Sequence, residues 1–226
     1  MFSAAETTAM MLSLKVAGVA TLVSLPFAVL TAWILAKKRF YGKLLLDALV
    51  HLPLVMPPVV TGYVLLLLFG RKGALGGFFE SLGLVFSFRW TGAALAAGIM
   101  AFPLMVRAMR LGFQAVDTRL EAMAGTLGAS PLIVFFTISL PLALPGLIAG
   151  MVLAFAKALG EFGATITFVA NIPGETQTIP AAIYSAIQSP DGDGTAFRLA
   201  FISVLIAVLA LLASEFLQRR LAYDRV

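Results

Sequence analysis

The chain has 226 residues, of which 61% are hydrophobic and 12% charged, and its formal net charge is +5. Soluble domains carry roughly a quarter charged residues, so this composition excludes an ordinary soluble domain and predicts an integral membrane protein. The basic residues are too scattered for a nucleic-acid interface, and the lack of cysteine excludes disulfides and thiolate metal sites.

Five apolar stretches are predicted to cross the membrane as helices, since each has about the 20 residues that a span requires, or more. Together they predict one all-α domain over residues 1–226. No basic residue precedes Lys15, unlike in a cleavable signal peptide, so the first stretch is expected to remain as a span. The predicted spans are residues 9–36, 44–70, 91–109, 142–163 and 197–217.

The charges in the loops predict the orientation of the chain. Ten Lys and Arg residues lie at or after the ends of the first, third and fifth spans, whereas four lie on the other side. The positive-inside rule places the larger set in the cytoplasm, the N-terminus outside and the C-terminus inside. The larger set is Lys37, Lys38, Arg39, Lys43, Arg107, Arg110, Arg119, Arg219, Arg220 and Arg225, and the smaller is Arg71, Lys72, Arg89 and Arg198.

The second span contains Pro53, Pro57 and Pro58. Each proline removes a helical hydrogen bond, so we expect a bent helix around a cavity, with a simple packing kink as the alternative. Asp47 and His51 lie four residues apart near the cytoplasmic end of this span and are expected to pair. A single histidine argues against a metal site, so a structural hydrogen bond is the predicted role of His51.

Residues 117–141, between the third and fourth spans, are predicted to form two short helices at the cytoplasmic surface. The apolar part, residues 132–140, would make about 14 Å of helix, which cannot cross a hydrocarbon core of about 30 Å. Pro141 is expected to mark a bend before the fourth span begins.

Local signals delimit these two helices. Thr118 and Glu121 have the spacing of a capping box at the start of the first helix. Gly128 suits the left-handed residue that closes a helix. Ser130 and Pro131 then read as the N-cap and first residue of the second helix.

The fourth span ends in charged and small polar residues. Lys157 and Glu161 lie four apart on one helical face, either as an internal ion pair or as part of a transport pathway. Gly163, Thr165 and Thr167 follow. Such residues allow close helix packing, and their hydroxyls could instead bind a tetrahedral oxyanion or form a gate.

The loop resembles the cytoplasmic coupling motif of ABC importer permeases, written as EAA, three residues, Gly, nine residues, Ile, one residue and Leu-Pro. The positions that match this spacing are Gly128, Ile138, Leu140 and Pro141. The EAA triplet falls on Ala122, Met123 and Ala124, so the glutamate of the motif is absent there, and Glu121 lies one position earlier.

Three further segments are similar to permease subunits of molybdate importers: HLPLVMPPVVTGY at 51–63, FPLMVRAMR at 102–110 and GEFGATITFVANIPGETQTIP at 160–180. This resemblance implies a type I (MetI-like) permease fold in the bacterial inner membrane, importing molybdate or tungstate from the periplasm. It also implies a homodimer, two cytoplasmic ATPase subunits that dock on the coupling loop and use ATP-Mg, and a periplasmic molybdate-binding protein.

Nucleotide binding is not expected in this chain. GRKGALGG at 70–77 is rich in glycine but lacks the Lys-Ser/Thr that ends a phosphate-binding loop. The chain is therefore expected to bind no cofactor and to be no enzyme by itself. The alternatives are a sulfate or thiosulfate ABC permease and an ion-coupled secondary transporter, although the internal repeat typical of the latter is not evident.

Overall fold

A computed structural model describes residues 3–223, and the side chains of 214 and 217–223 lie outside this description. The described residues form helices joined by loops and contain no strand, which confirms the all-α prediction. Of the basic residues assigned to the cytoplasm, the side chains of Arg219 and Arg220 and the whole of Arg225 lie outside the described residues.

The helices are named in chain order. They are α1 Ala4–Lys37, α2 Lys43–Val55, α3 Pro58–Phe69, α4 Gly76–Ser81, α5 Trp90–Gln114, α6 Thr118–Thr126, α7 Pro131–Val134, α8 Leu140–Leu159, α9 Gly163–Val169, α10 Ile179–Ile187 and α11 Asp193–Tyr223, with a π-helical turn Phe135–Ser139 between α7 and α8.

Four helical stretches of the described chain are long and apolar enough to cross a membrane: α1, α5, the stretch Pro131–Leu159 and α11. Helices α2 and α3 make a fifth span if they are counted as one, and their axes differ by 112°. The break lies between Val55 and Pro58, which confirms the predicted bend. Pro58 begins α3, where a missing N–H costs no helical hydrogen bond.

The predicted bend at Pro141 is wrong. Helices α7 and α8 are continuous through the π-helical turn, so Pro131–Leu159 is one helix of 29 residues instead of a surface helix followed by a span. The N–H of Leu140 bonds to the carbonyl of Phe135, five residues back. The wider turn accommodates a proline that lacks an N–H and would crowd the carbonyl four residues earlier.

Helices α1, α5 and α8 form the centre of the bundle. Their facing surfaces are rich in alanine and glycine, which lets the backbones approach closely. At the crossing of α5 and α8, a Cβ atom added to Gly146 would lie 2.6 Å from the Cα atom of Gly112. Glycine at these positions is therefore required by helix packing.

Polar clusters hold the bundle at both ends of α1. At its N-terminal end, Arg198 Nη2 lies 2.7 Å from Glu6 Oε1, and Ser13 Oγ accepts a hydrogen bond from the Ile179 N–H at 2.7 Å. At its C-terminal end, Lys37 contacts Glu121. Glu6 and Lys37 are separated by about 46 Å of helix, close to the roughly 40–45 Å of a bilayer with its headgroups.

Candidate functional site

Helix α6 is the first part of the predicted coupling loop, and its N-cap is Asp117. The Asp117 carboxylate accepts the N–H of Arg119 at 2.9 Å, and Thr118 is the first helical residue. The predicted capping box between Thr118 and Glu121 is therefore wrong. Aspartate caps helices better than threonine does, and the shift by one residue leaves the Glu121 side chain available for other partners.

The end of α6 has the geometry that the glycine predicts. Gly128 has a φ of +88°, in the left-handed region. The Gly128 N–H bonds to the Gly125 carbonyl at 3.1 Å, and the Ala129 N–H to the Ala124 carbonyl at 3.0 Å. These two bonds form a Schellman motif. No atom lies within 4 Å of a Cβ added at Gly128, so the constraint at this position is the backbone angle alone.

The chain then turns directly into the long helix. Ser130 Oγ accepts the Ile133 N–H at 3.4 Å, and Pro131 is the first helical residue, as predicted. Ser139, in the π-helical turn, faces back toward α6. Its hydroxyl donates a hydrogen bond of 2.6 Å to Glu121 Oε1.

Glu121 joins several elements of the bundle. Its Oε2 lies 3.0 Å from Lys37 Nζ at the end of α1, and its Oε1 accepts the Ser139 hydroxyl. Lys37 Nζ also donates to the Val116 carbonyl at 2.9 Å, just after α5. The Lys37 and Glu121 side chains are 11% and 18% exposed, so water screens this pair only weakly. We call Lys37, Val116, Glu121 and Ser139 the Glu121 cluster.

An apolar groove lies beside α6. It has a volume of about 430 Å³ and separates α6 from the start of the long helix. Its lining residues are Leu120, Met123, Ala124, Leu127, Thr137, Ile138, Pro141 and Leu142. Leu127 is 87% exposed and Met123 is 61% exposed, while Ala122 beside them is also exposed. Exposed apolar side chains around a groove are typical of a surface that a partner protein or the membrane covers.

A second site lies where α8 ends. Lys157 Nζ is 2.9 Å from Glu161 Oε2, and Glu161 is 2% exposed while the Lys157 side chain is 32% exposed. Glu161 Oε1 also accepts the Ala164 N–H at 3.0 Å, in the first turn of α9. The carboxylate therefore pairs with a cation and satisfies a helix terminus, two interactions that offset its burial.

Helix α9 packs closely on α3. A Cβ atom on Gly163 would lie 2.6 Å from Pro58 Cβ, and one on Gly62 would lie 2.9 Å from Thr167 Cβ. The Thr167 hydroxyl donates to the Gly163 carbonyl at 2.9 Å, and that of Thr165 to a carbonyl at the start of α9. The bend of the second span and the segment after Glu161 are thus held together by small residues.

Asp47 and His51 pair as predicted. His51 Nδ1 lies 2.8 Å from the Asp47 carbonyl oxygen and 3.4 Å from its carboxylate. Arg110, on α5, contacts the same carboxylate at 3.0 Å. The partners of Glu121 and the contact of Arg110 were not predicted, because they join residues that are distant in sequence.

The sequence is similar to a known protein family over most of its length. Residues 24–223 match the family described as binding-protein-dependent transport system inner membrane component. The chain is 57% identical over 215 residues to the molybdenum transport system permease protein ModB of Escherichia coli K12, covering 95% of this chain and 94% of that protein. It is 54% identical over 217 residues to ModB of Haemophilus influenzae, covering 96% and 95%.

More distant proteins extend the comparison. The chain is 32% identical over 199 residues to a probable sulfate transport system permease protein cysT of Chlorokybus atmophyticus, covering 88% of this chain and 69% of that one. A bacterial ABC transporter that imports the acidic polysaccharide alginate has the same fold, with a TM-score of 0.75 at 16% identity. That match covers 97% of this chain and 80% of the other.

The Glu121 cluster gives a direct prediction. Replacing Glu121 by Ala removes one partner of Lys37, whose side chain is poorly exposed to water. The lost interaction should reduce the free energy that holds α6 on the bundle by roughly 1–3 kcal/mol. Helix α6 has nine residues and is too short to be stable alone, so it should open more often. We expect trypsin to cleave after Arg119 several-fold faster than in the wild type, measured by mass spectrometry of the detergent-purified protein.

The matched control is Asp191→Ala, which removes an exposed carboxylate from a different loop. Its cleavage rate after Arg119 should equal that of the wild type. Equal rates in wild type and Glu121→Ala would contradict the role of the cluster in holding α6.

Proposed function

The chain belongs to the family of binding-protein-dependent transport system inner membrane components, and we propose that it is the permease of an ATP-driven importer for molybdate or tungstate. The observation that carries this proposal is the identity of 57% to a molybdenum permease over nearly the whole length of both chains. Molybdate and tungstate are dianions of closely similar shape, so they are proposed together. Sulfate is the weaker candidate, since the sulfate permease is at 32% identity.

We propose that the exposed apolar face of α6 receives a cytoplasmic ATPase subunit. The support is the apolar groove beside Ala124 and Ile138 and the Glu121 cluster, which attaches the same helix to the membrane bundle. In this arrangement ATP-Mg is bound by the ATPase and no cofactor by this chain. The distribution of Lys and Arg supports an N-terminus in the periplasm and a C-terminus in the cytoplasm.

The full importer would contain two copies of this chain, two ATPases and a periplasmic binding protein for the oxyanion. A transporter complex with a periplasmic protein is known for the alginate importer, which shares the fold. Helices α2 and α3 have exposed apolar surfaces, which include Leu44, Val55 and Leu67. A second copy of the chain or lipid would cover these surfaces.

We place the transport pathway beside Lys157 and Glu161. Lys157 retains enough exposure to attract a dianion, while Glu161 limits how tightly the ion is held. The hydroxyl hydrogens of Thr165 and Thr167 are already donated to backbone carbonyls, which supports a role of these residues in a packed gate more than in binding the anion.

The function is tested by transport. The chain is purified with its ATPase, reconstituted into proteoliposomes and supplied with the binding protein and ⁹⁹Mo-labelled molybdate. We expect uptake that requires ATP, and competition by tungstate at equal concentration but only weak competition by sulfate. Uptake driven by an ion gradient without nucleotide would contradict the proposal.

The coupling role of α6 is tested at Gly128. Valine there must adopt a left-handed backbone angle, at a cost of about 1–2 kcal/mol or more, and should distort the surface that receives the ATPase. We expect Gly128→Val to insert normally but to lose ATPase association or ATP-driven uptake. Gly125→Val is the control, because Gly125 also has open space around its Cβ position but no left-handed angle. Normal uptake by Gly128→Val would argue against docking through α6.

The pathway is tested by replacing Lys157 and Glu161 together with Gln. The double variant removes both charges while keeping hydrogen-bonding groups of similar size, so the α9 terminus remains capped. We expect normal assembly and ATPase binding but molybdate uptake reduced at least about tenfold, a change of roughly 1.4 kcal/mol in the barrier. Unchanged uptake would show that the pair has only a structural role.

A further inference from the structure

A polar cleft lies at the end of the bundle that contains the loop before α5. It has a volume of about 510 Å³ and is lined by Arg71, Ser87, Phe88, Arg89 and Glu175. Arg71 follows α3, and Glu175 belongs to the segment after α9. Ser87, Phe88 and Arg89 lie in the loop just before α5. In the proposed orientation this cleft opens to the periplasm, on the side away from α6.

The two arginines of the cleft have unused donors. Both residues are exposed, and neither guanidinium forms a hydrogen bond or ion pair with any residue between 3 and 223 whose side chain is described. By contrast, Arg198 is held by Glu6. A planar guanidinium presents N–H groups in a fork that matches the oxygens of a carboxylate or phosphate, so two such groups in one cleft favour an oxyanion.

The lining of the cleft contains a further unsatisfied donor, Ser87. Ser87 is only 5% exposed, and its hydroxyl has no hydrogen-bond partner among the described residues. Phe88, the next residue, has a φ of +56°, a left-handed angle that is rare for a large side chain. Ser87, Phe88 and Arg89 are consecutive and all line the cleft. Buried hydroxyls normally have partners, and an acceptor held by the cleft would supply one.

Glu175 gives the cleft its fourth charged or polar group. Its carboxylate partly opposes the two guanidinium groups, so the cleft carries a net charge of about +1 and should hold a dianion only loosely. Loose binding is the property that a conduction path needs, because an ion that binds tightly does not move on.

We propose that this cleft is a low-affinity entry site for the tetrahedral dianion that the importer carries. The assignment rests on the proposed function for the identity of the ion, whereas the site itself rests on Arg71, Arg89 and Ser87. The two arginines bind the oxyanion, and Glu175 lowers its affinity so that the ion passes inward.

The test is direct binding to the purified chain, without ATPase or binding protein. The chain is placed in lipid nanodiscs, and ⁹⁹Mo-molybdate binding is measured by equilibrium dialysis at low salt. We expect saturable binding that excess sulfate displaces, and a loss of at least tenfold in affinity in Arg71→Gln/Arg89→Gln. Lys72→Gln is the matched control, since Lys72 is an exposed cation of the same loop outside the cleft, and it should stay within twofold.

A second variant tests the opposing charge. Glu175→Gln should bind molybdate several-fold more tightly, a gain that a merely structural role for Glu175 would not produce. No binding by the wild type, equal affinities in wild type and the arginine variant, or no gain in Glu175→Gln would each overturn the proposal. So would an arginine variant that binds molybdate normally but loses the binding protein, because the cleft would then be a protein-docking surface.

These experiments distinguish a failure of the cleft proposal from a failure of the proposed function. ATP-driven molybdate uptake by a chain that fails the dialysis test overturns the cleft and leaves the proposed function in place. Saturable binding that depends on Arg71 and Arg89, in a complex that imports no molybdate, supports the cleft and counts against the proposed function.

Discussion

The contact between Lys37 and Glu121 is the interaction on which the proposed mechanism depends. Helix α6 has nine residues, and a helix of that length is marginal in water without tertiary contacts. The ion pair and the Ser139 hydroxyl attach it to α1 and to the long helix, in a position where the exposed fractions of both side chains are small. In the proposed mechanism, these contacts transmit a displacement of α6 to the membrane helices.

The continuous helix from Pro131 to Leu159 extends this connection across the bundle. Its 29 residues correspond to about 43 Å, with the apolar groove at one end and Lys157 near the other. Glu161 then caps α9, and α9 packs on α3 through Gly62 and Gly163. The surface proposed to receive the ATPase, the charged pair and the bent second span are thus joined by a continuous series of contacts.

Local sequence signals predicted most of the helices and turns but not the contacts between them. The apolar runs, the turn at Gly128 and the start at Pro131 depend on residues within a few positions, and the structure has each of them. The capping error arose because Asp117 competes with Thr118, a choice that the stronger capping preference of aspartate would have decided. The continuity through Pro141 depends on a π-helical turn, and the partners of Glu121 come from distant helices, so neither follows from local spacing.

The docking of an ATPase on α6 is tested most directly by site-specific cross-linking. The chain contains no cysteine, so Leu127→Cys provides one exposed thiol at the C-cap of α6, and Phe78→Cys provides one on α4 at the opposite side of the bundle. Each variant is assembled with the ATPase and treated with a short thiol-to-amine cross-linker. Docking of the ATPase on α6 predicts a covalent product with the ATPase from Leu127→Cys and none from Phe78→Cys. No product from Leu127→Cys in a complex that hydrolyses ATP, or equal products from both variants, would contradict it.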